Sequence, residues 1–540
     1  MSRAAAWACC LVAAFGGCSR PATRPLPSAA AMPAAVPQAV REKLLDGAVT
    51  VLGRLDQFDE AGAYAQVFDR LNQWSHARPL DAAGPWKPDP LVATLPERLR
   101  TLVSEEALAG SVFDAGNDIM AIRDATWLAD IARNACRGLP PDDDLAVAGR
   151  LFDWTVRSLA LVSDPPMVPT ETTPGTRWML PGEILLSGRA SGPQRAWIFL
   201  ELLRQAGLDG VMLATGDADA GTLRPWVPAV IAGGEAHLFD PVYGMPISGP
   251  GGTGIATARQ AASDPAILAA MSLADRPYPV QAQDVAGLSA LVAAEPWSLS
   301  RRMQALDEGL ADDHDVRVAI DASAVAARAV AALPGGGRPR LWDFPLETLA
   351  RRRDGATAAA VPRDLAPMAV TVGQTVGTDQ QSRGAGMRLV RPLFAARVRE
   401  FRGELDGPDG AKSSYLAARP SRQTIAEAVA GAPPEQADAL KRLYGQMKED
   451  ATYWLGVLTL EEGEHEAAVD YLQRMTISAA PDSRWVDAAR LNLAAALLPL
   501  GREAEAVKLL REDTSPQRFG SRLLADRLER RPRPEKEPAP

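Results

Sequence analysis

Gly188-Arg189-Ala190-Ser191-Gly192-Pro193-Gln194-Arg195-Ala196-Trp197-Ile198-Phe199-Leu200-Glu201-Leu202-Leu203-Arg204-Gln205-Ala206-Gly207-Leu208 is the stretch on which the reading of this chain turns. From 196 to 206 its apolar residues recur at helical spacing, with Ile198, Phe199, Leu202 and Leu203 facing inward. Gly207 then stands where a left-handed C-cap belongs, a conformation that a Cβ opposes. Val211, Met212, Leu213 and Ala214 follow as a short buried strand. Residues 226–231 and 236–239 predict two strands, with Gly233-Gly234 supplying the tight turn between them. A glycine-rich loop from Ser248 to Gly254 closes a unit of helix followed by antiparallel sheet, its strand order left open.

Outward from this unit, assigned to 161–280, the chain is mostly helical. Residues 41–160 form an N-terminal helical region, with Val49, Leu52, Leu55 and Phe58 at three-residue steps and Leu145, Leu151, Trp154 and Leu159 in a later helix. Pro165, Pro166 and Pro169 end that run. Residues 281–390 predict a helical connecting region, looser near Gly335-Gly336-Gly337 and from Val370 to Gly386. Residues 391–529 carry paired helices, and 530–540 form a charged, proline-rich tail expected to be disordered. The fold class expected is α+β, predominantly helical. At 540 residues the chain is too long for one core, and about 150 residues per domain suggests roughly three units. Hydrophobic residues at 47 % and charged residues at 23 % suit a globular body, and a net charge of -9 without a clustered basic face argues against nucleic acid as a partner.

The quoted stretch resembles the core helix of the transglutaminase-like superfamily, within the papain-like group. Leu151-Phe152-Asp153-Trp154-Thr155-Val156-Arg157 and the later Trp226 with Phe239-Asp240-Pro241 extend the resemblance, which covers about 100 residues. Active members place a cysteine at the helix N-terminus, four residues before the alanine matched by Ala196. Their histidine leads a strand and their aspartate follows on the next. There the helix amides stabilise a thiolate, the imidazole shuttles protons and the carboxylate orients it. Carried over, the cysteine slot falls on Gly192, the histidine slot on Arg224 and the aspartate slot on Asp240. Glycine offers no nucleophile and arginine cannot serve as a base. The resemblance therefore implies a pseudoenzyme with no catalytic residues.

Neighbouring groups offer alternatives. Ser191 and His237 would form a displaced nucleophile and base only within hydrogen-bond reach of each other; the orientation of His237 on its strand is open. Arg224 and Asp240 would form an ion pair across adjacent strands, or Arg224 would present its guanidinium to a carboxylate-bearing ligand in an unaltered cleft. Trp178, Trp197 and Trp226, with Ser191 and His237, are the candidates for lining that cleft, and core packing is the competing role for each tryptophan. Asp312-Asp313-His314-Asp315 reads as a solvated acidic turn, Gly249 to Gly254 lacks the lysine of a phosphate loop, and no cofactor or metal is expected.

Ala451-Thr452-Tyr453-Trp454-Leu455-Gly456, Gly463-Glu464-His465-Glu466-Ala467-Ala468, Leu472 and Pro481 resemble a tetratricopeptide repeat. A second copy runs from Ala488 through Leu493, Ala494, Leu497, Gly501, Ala506 and Leu510, its turn glycine 38 residues after Gly463 where the family spacing is about 34. A weaker hairpin precedes them, with Gly403, Ala411, Tyr415 and Ala418. Gly456 and Ala468 are placed where antiparallel helices come closest. So few units need support from the preceding domain. The resemblance implies a surface for a protein or peptide segment, or a helical prop for the domain upstream.

The first 18 residues form a lipoprotein signal peptide: Arg3, an apolar run, then Gly16-Gly17-Cys18. That ending resembles the lipobox of bacterial lipoproteins, with Phe15 in place of the usual leucine, which implies lipidation of Cys18; an ordinary cleaved signal is the alternative. Ser19 resembles the form exported to an outer membrane, and the Pro/Ala-rich tether 19–40 would reach about 60 Å on the periplasmic side. Cys136 is then the one thiol of the folded body, in an apolar helical pattern that predicts burial and inertness. The function expected is a non-catalytic envelope-anchored scaffold or binding protein. The alternatives are a transglutaminase or cysteine-protease-like enzyme with displaced residues, or a small-ligand-binding protein using the vestigial cleft.

Overall fold

The computed structural model describes residues 37–77, 86–164, 178–217, 220–311, 313–353, 365–376 and 386–530. The signal, Cys18, Pro165, Pro166, Pro169, Asp312 and the tail after 530 lie outside the described residues. The long helices before the quoted stretch are α1 (Gln38–Gly53), α2 (Glu60–His76), α3 (Asn117–Ala135) and α4 (Asp144–Ser158). Asp59 and Asp143 cap α2 and α4, each accepting a backbone N–H two or three residues into its helix. The inward stripe of α1 is Leu45, Ala48, Val51 and Leu52, which corrects the three-step reading of Val49, Leu52, Leu55 and Phe58. Helix α1 stops at Gly53, Leu55 is buried in the short turn beyond it, and Phe58 is exposed.

Helix α5 (Gly192–Gln205) begins directly after Ser191, and Gly207 at φ 75° reverses the chain as the sequence predicts. The strands β1 (Asp209–Thr215), β2 (Arg224–Ala232) and β3 (Glu235–Asp240) form an antiparallel meander. Gly233 and Gly234, at φ 58° and 77°, make the two-residue turn that matches strand twist. Strand β4 (Met245–Pro246) adds to β3, while β5 (Ser289–Val292) and β6 (Arg338–Leu341) extend the far edge. The order is β4-β3-β2-β1-β5-β6, antiparallel except for the parallel β5–β6 pair.

Two strands of this sheet thus come from the segment expected to be a helical connection, which also holds the antiparallel pair Val372–Val376 and Gly386–Val390, and that expectation is corrected. Ser289-Ala290-Leu291-Val292 is too short to show a period. Arg338-Pro339-Arg340-Leu341 is tolerated as a strand because it lies at the sheet edge, where proline breaks no ladder. Both faces of the sheet are buried. Met212, Ala214, Val230 and Phe239 face the core shared with α5, and Val211, Leu213, Ala229 and Leu238 face a second core. That second core includes Val325, Ala326 and Ala329 of α6 (Ala322–Ala332). Double burial explains why these strands read as unbroken apolar runs. Phe152 of α4, Phe199 of α5 and Phe239 of β3 meet with ring centroids 5.1–5.2 Å apart, locking helices to sheet.

The C-terminal half continues with α7 (Pro392–Phe401), α8 (Ala411–Ala417), α9 (Pro434–Glu461), α10 (His465–Val469, prolonged in a wider π-helical coil through Ser478), α11 (Val486–Leu497), α12 (Glu503–Arg511) and α13 (Arg518–Arg530). Gly403, Gly463 and Gly501 turn the chain between helices at φ 71°, 78° and 70°. A Cβ on Gly456 would lie 2.7 Å from Leu472, so close helix approach does require glycine there. These helices share the core of α3 to α5. Arg397 of α7 donates to the Leu185 carbonyl at 2.8 Å and stacks 3.7 Å over Trp454 of α9. Asn492 of α11 donates to the Arg157 carbonyl at 3.1 Å. The fold class is α+β and predominantly helical, as expected.

Candidate functional site

Ser191 is the N-cap of α5, and its backbone N–H donates to Gln194 Oε1 at 2.9 Å. Gly192 is the first helical residue, and its N–H is taken by the carboxylate of Asp164. An acid therefore occupies the electropositive end of α5, which favours negative charge through its unpaired amides. Burial still pushes the Asp164 carboxyl up, with the Gly192 amide pulling the other way. A Cβ added to Gly192 would come within 2.8 Å of Val242 Cγ2. A side chain at this position would meet Val242 first, with the Asp164 carboxylate 4.0 Å away.

Asp240, at the end of β3, has both oxygens committed. Oδ1 accepts the Val242 and Tyr243 amides at 2.9 and 2.8 Å, and Oδ2 accepts the Tyr278 hydroxyl at 2.7 Å. Tyr278 in turn accepts Trp226 Nε1 at 3.0 Å. Burial raises Asp240 above the usual carboxylate range while these donors pull it back. The Tyr278 hydroxyl is held well above its usual range, first by burial and then by the Asp240 charge, so it stays a donor.

Arg224 leads β2 as expected but is exposed, paired in register with Thr215. The anticipated Arg224–Asp240 ion pair is corrected: the Tyr278 hydroxyl and the Val242 and Tyr243 amides supply the partners of Asp240 in its place. Ser191 Oγ and His237 Nδ1 are each buried without a hydrogen-bond partner among the described residues, so no Ser/His pair forms. By strand alternation His237 shares the face of Phe239, and it bridges to Thr257.

The tryptophans do not line one cleft. Trp178 and Trp197 are buried, each 6.0 Å from Phe344, and Trp197 Nε1 donates to Glu295 Oε1 at 2.7 Å. Trp226 packs against the second core, across the sheet from Trp197. Cys136 is half-buried beyond α3, its thiol pushed up by burial. His314 lies 3.2 Å from Asp46, and among the described residues no group of three His, Cys, Asp or Glu side chains could hold a metal ion.

The sequence reading passed over two charged residues of α5. Arg195 stands three, four and seven positions before Ile198, Phe199 and Leu202, on the inward stripe, and that spacing was a usable signal. It is fully enclosed and binds carbonyls and Gln517. Glu201 is buried beside Arg204, at 2.8 Å, and Glu295 lies 3.9 Å from the same guanidinium nitrogen. Burial first, then the Glu295 charge, push the Glu201 carboxyl up to about 8 against the pull of Arg204. Asp164, Tyr278 and Val242 carried no local signal at all.

The Glu201 shift gives stability a pH dependence. An acid raised in the folded state contributes fully below its unfolded pKa and loses that contribution as pH rises through the folded value. The loss should begin near pH 4.5 and level off above about 8. It should amount to at most about 5 kcal/mol. In Glu201→Gln this part of the slope should vanish, read by urea unfolding at pH 5, 7 and 9 (about these values). A slope equal to wild type would refute the assignment.

No protein family, no curated protein and no solved structure matches this chain. Among the described residues no helix is long and apolar enough to cross a membrane.

Proposed function

We propose that this protein is a non-catalytic scaffold or binding protein of the cell envelope, a pseudoenzyme on a degenerate transglutaminase-like domain with tetratricopeptide-like helices behind it. The observation that carries the reading is at the head of α5. Where a nucleophile would stand there is Gly192, crowded by Val242 and beside the Asp164 carboxylate, and Asp240 is spent on Tyr278 and two backbone amides. Without an attacking atom and a base, amide chemistry has no starting point. The lipid anchor at Cys18 would hold the chain at the outer membrane on its periplasmic side, with the tether giving it reach. The paired helices from α9 to α12 would offer their surface to a protein or peptide segment.

Fluorogenic peptide hydrolysis and amine incorporation into a glutamine donor test the catalytic half. The expected result is no turnover above buffer for wild type, Cys136→Ser and His237→Ala alike. Turnover in wild type that either variant abolishes would overturn the reading. The anchor is tested by intact mass of the mature chain, where a diacylglyceryl-modified Cys18 is expected and an unmodified N-terminus would exclude it.

A further inference from the structure

Away from the head of α5, a cavity of about 240 Å³ opens between α3, α4, α7 and the end of α9. Trp154, Phe401, Ile131 and Leu405 supply its apolar walls, and charged side chains supply the rest. Three acids and three arginines interrupt that lining, and their partners sort them. Glu400 is neutralised by Arg397 at 2.8 Å and by the Tyr415 hydroxyl. Glu462 is held by Lys412 at 2.8 Å, and Arg157 by Asp153 at 2.5 Å. What remains is unbalanced. Glu461 has only the Ser158 hydroxyl, at 3.5 Å, and Arg150 has no ion pair among the described residues. Arg137 bonds only the neutral Asn134 amide oxygen, at 2.8 Å. Glu461 is exposed to solvent, and the protein around it pushes its carboxyl up to about 7 against the pull of the nearby Arg157 charge.

We propose that this cavity binds a small zwitterion of amino-acid or dipeptide size, with its ammonium on Glu461, its carboxylate on Arg150 and Arg137, and an apolar side chain against Trp154 and Phe401. One carboxylate and two guanidinium groups without a close ion pair among the described residues, around a single concave space, match a ligand carrying both signs, because each gains a direct partner on binding. A purely anionic ligand would leave Glu461 unpaired or repelled, and a purely cationic one would meet Arg150 and Arg137. The volume excludes a folded partner and suits a handful of heavy atoms. None of the residues at Gly192, Arg224 or Asp240 lines this space, so the proposal stands or falls apart from the scaffold reading.

The test is calorimetric titration of the mature full-length protein, near pH 7.5, with leucine and glycyl-leucine. Acetyl-glycyl-leucine and glycyl-leucinamide serve as forms with one charge blocked. At least one zwitterion is expected to bind with Kd below about 1 mM, and both blocked forms at least about tenfold more weakly. Arg150→Ala and Glu461→Gln should each weaken the zwitterion about tenfold. Arg150 is exposed, so its variant keeps the test valid should Glu461→Gln fold poorly. No binding of either zwitterion at about 10 mM overturns the proposal, as does equal binding of the blocked forms or wild-type affinity in Arg150→Ala.

Discussion

Arg195→Met is expected to lower the stability of the fold by about 3 kcal/mol. The guanidinium sits inside the protein and bonds the Leu159 carbonyl through Nε at 2.8 Å and again through Nη2. It also bonds the Val156 carbonyl at 3.2 Å, the Pro241 carbonyl at 3.0 Å and Gln517 Oε1 at 2.7 Å. One side chain on α5 therefore ties the end of α4, the turn after β3 and the start of α13. Burial pulls this guanidinium down to about 9, so it remains charged at neutral pH without any carboxylate beside it. Removing the charge returns that desolvation cost, but it strands four buried acceptors at roughly 1–2 kcal/mol each. The stranded acceptors win. Arg195→Lys should not rescue, since a point ammonium cannot reach four acceptors spread around a planar fork. Urea unfolding followed by far-UV circular dichroism measures the change, and a methionine variant within about 1 kcal/mol of wild type would refute the account.

Gly520→Ala should cost as much or more, about 3–5 kcal/mol, although alanine is the better helix former. The added Cβ would lie 1.9 Å from the Tyr243 carbonyl oxygen and 2.5 Å from its carbon. Main chain cannot step aside here, because the Tyr243 amide is fixed to Asp240 at 2.8 Å and the Gly244 amide donates to the Asp240 carbonyl at the same distance. Helix α13 would have to lift, uncovering Leu523, Ala525 and Leu528. Gly445→Ala within α9 is the control, since a Cβ there meets nothing within 4 Å. It should stabilise by about 1 kcal/mol through helix propensity alone. Opposite signs at the two glycines are expected in thermal melts. A Gly520→Ala variant melting at or above wild type would show that α13 does not press on that carbonyl.

Both effects bear on what the C-terminal helices do. With Gln517, Gly520 and Trp454 seated against the first half, those helices pack on the domain upstream whether or not they also hold a partner. A Cβ on Gly188 would lie 2.0 Å from the Trp454 ring, which shows how closely α9 is pressed on the turn before α5.

The legible parts were those whose cause is local. Ile198, Phe199, Leu202 and Leu203 repeat at helical spacing, so α5 announced itself. Gly207, Gly233 and Gly234 adopt backbone angles that other residues avoid, so the turns did as well. That positions 192 and 224 carry neither a nucleophile nor a base is also legible from residue type alone, Gly192 and Arg224. Tertiary structure decided the rest, for a single reason: the partner of a buried charge or an edge strand is whatever chain returns to it. Asp240 found Tyr278 and not Arg224, β1 found Ser289–Val292 from across the helices, and Arg195 found Gln517 in the turn before α13. Such pairings depend on where distant segments come to rest, and no periodicity or spacing near either partner encodes that.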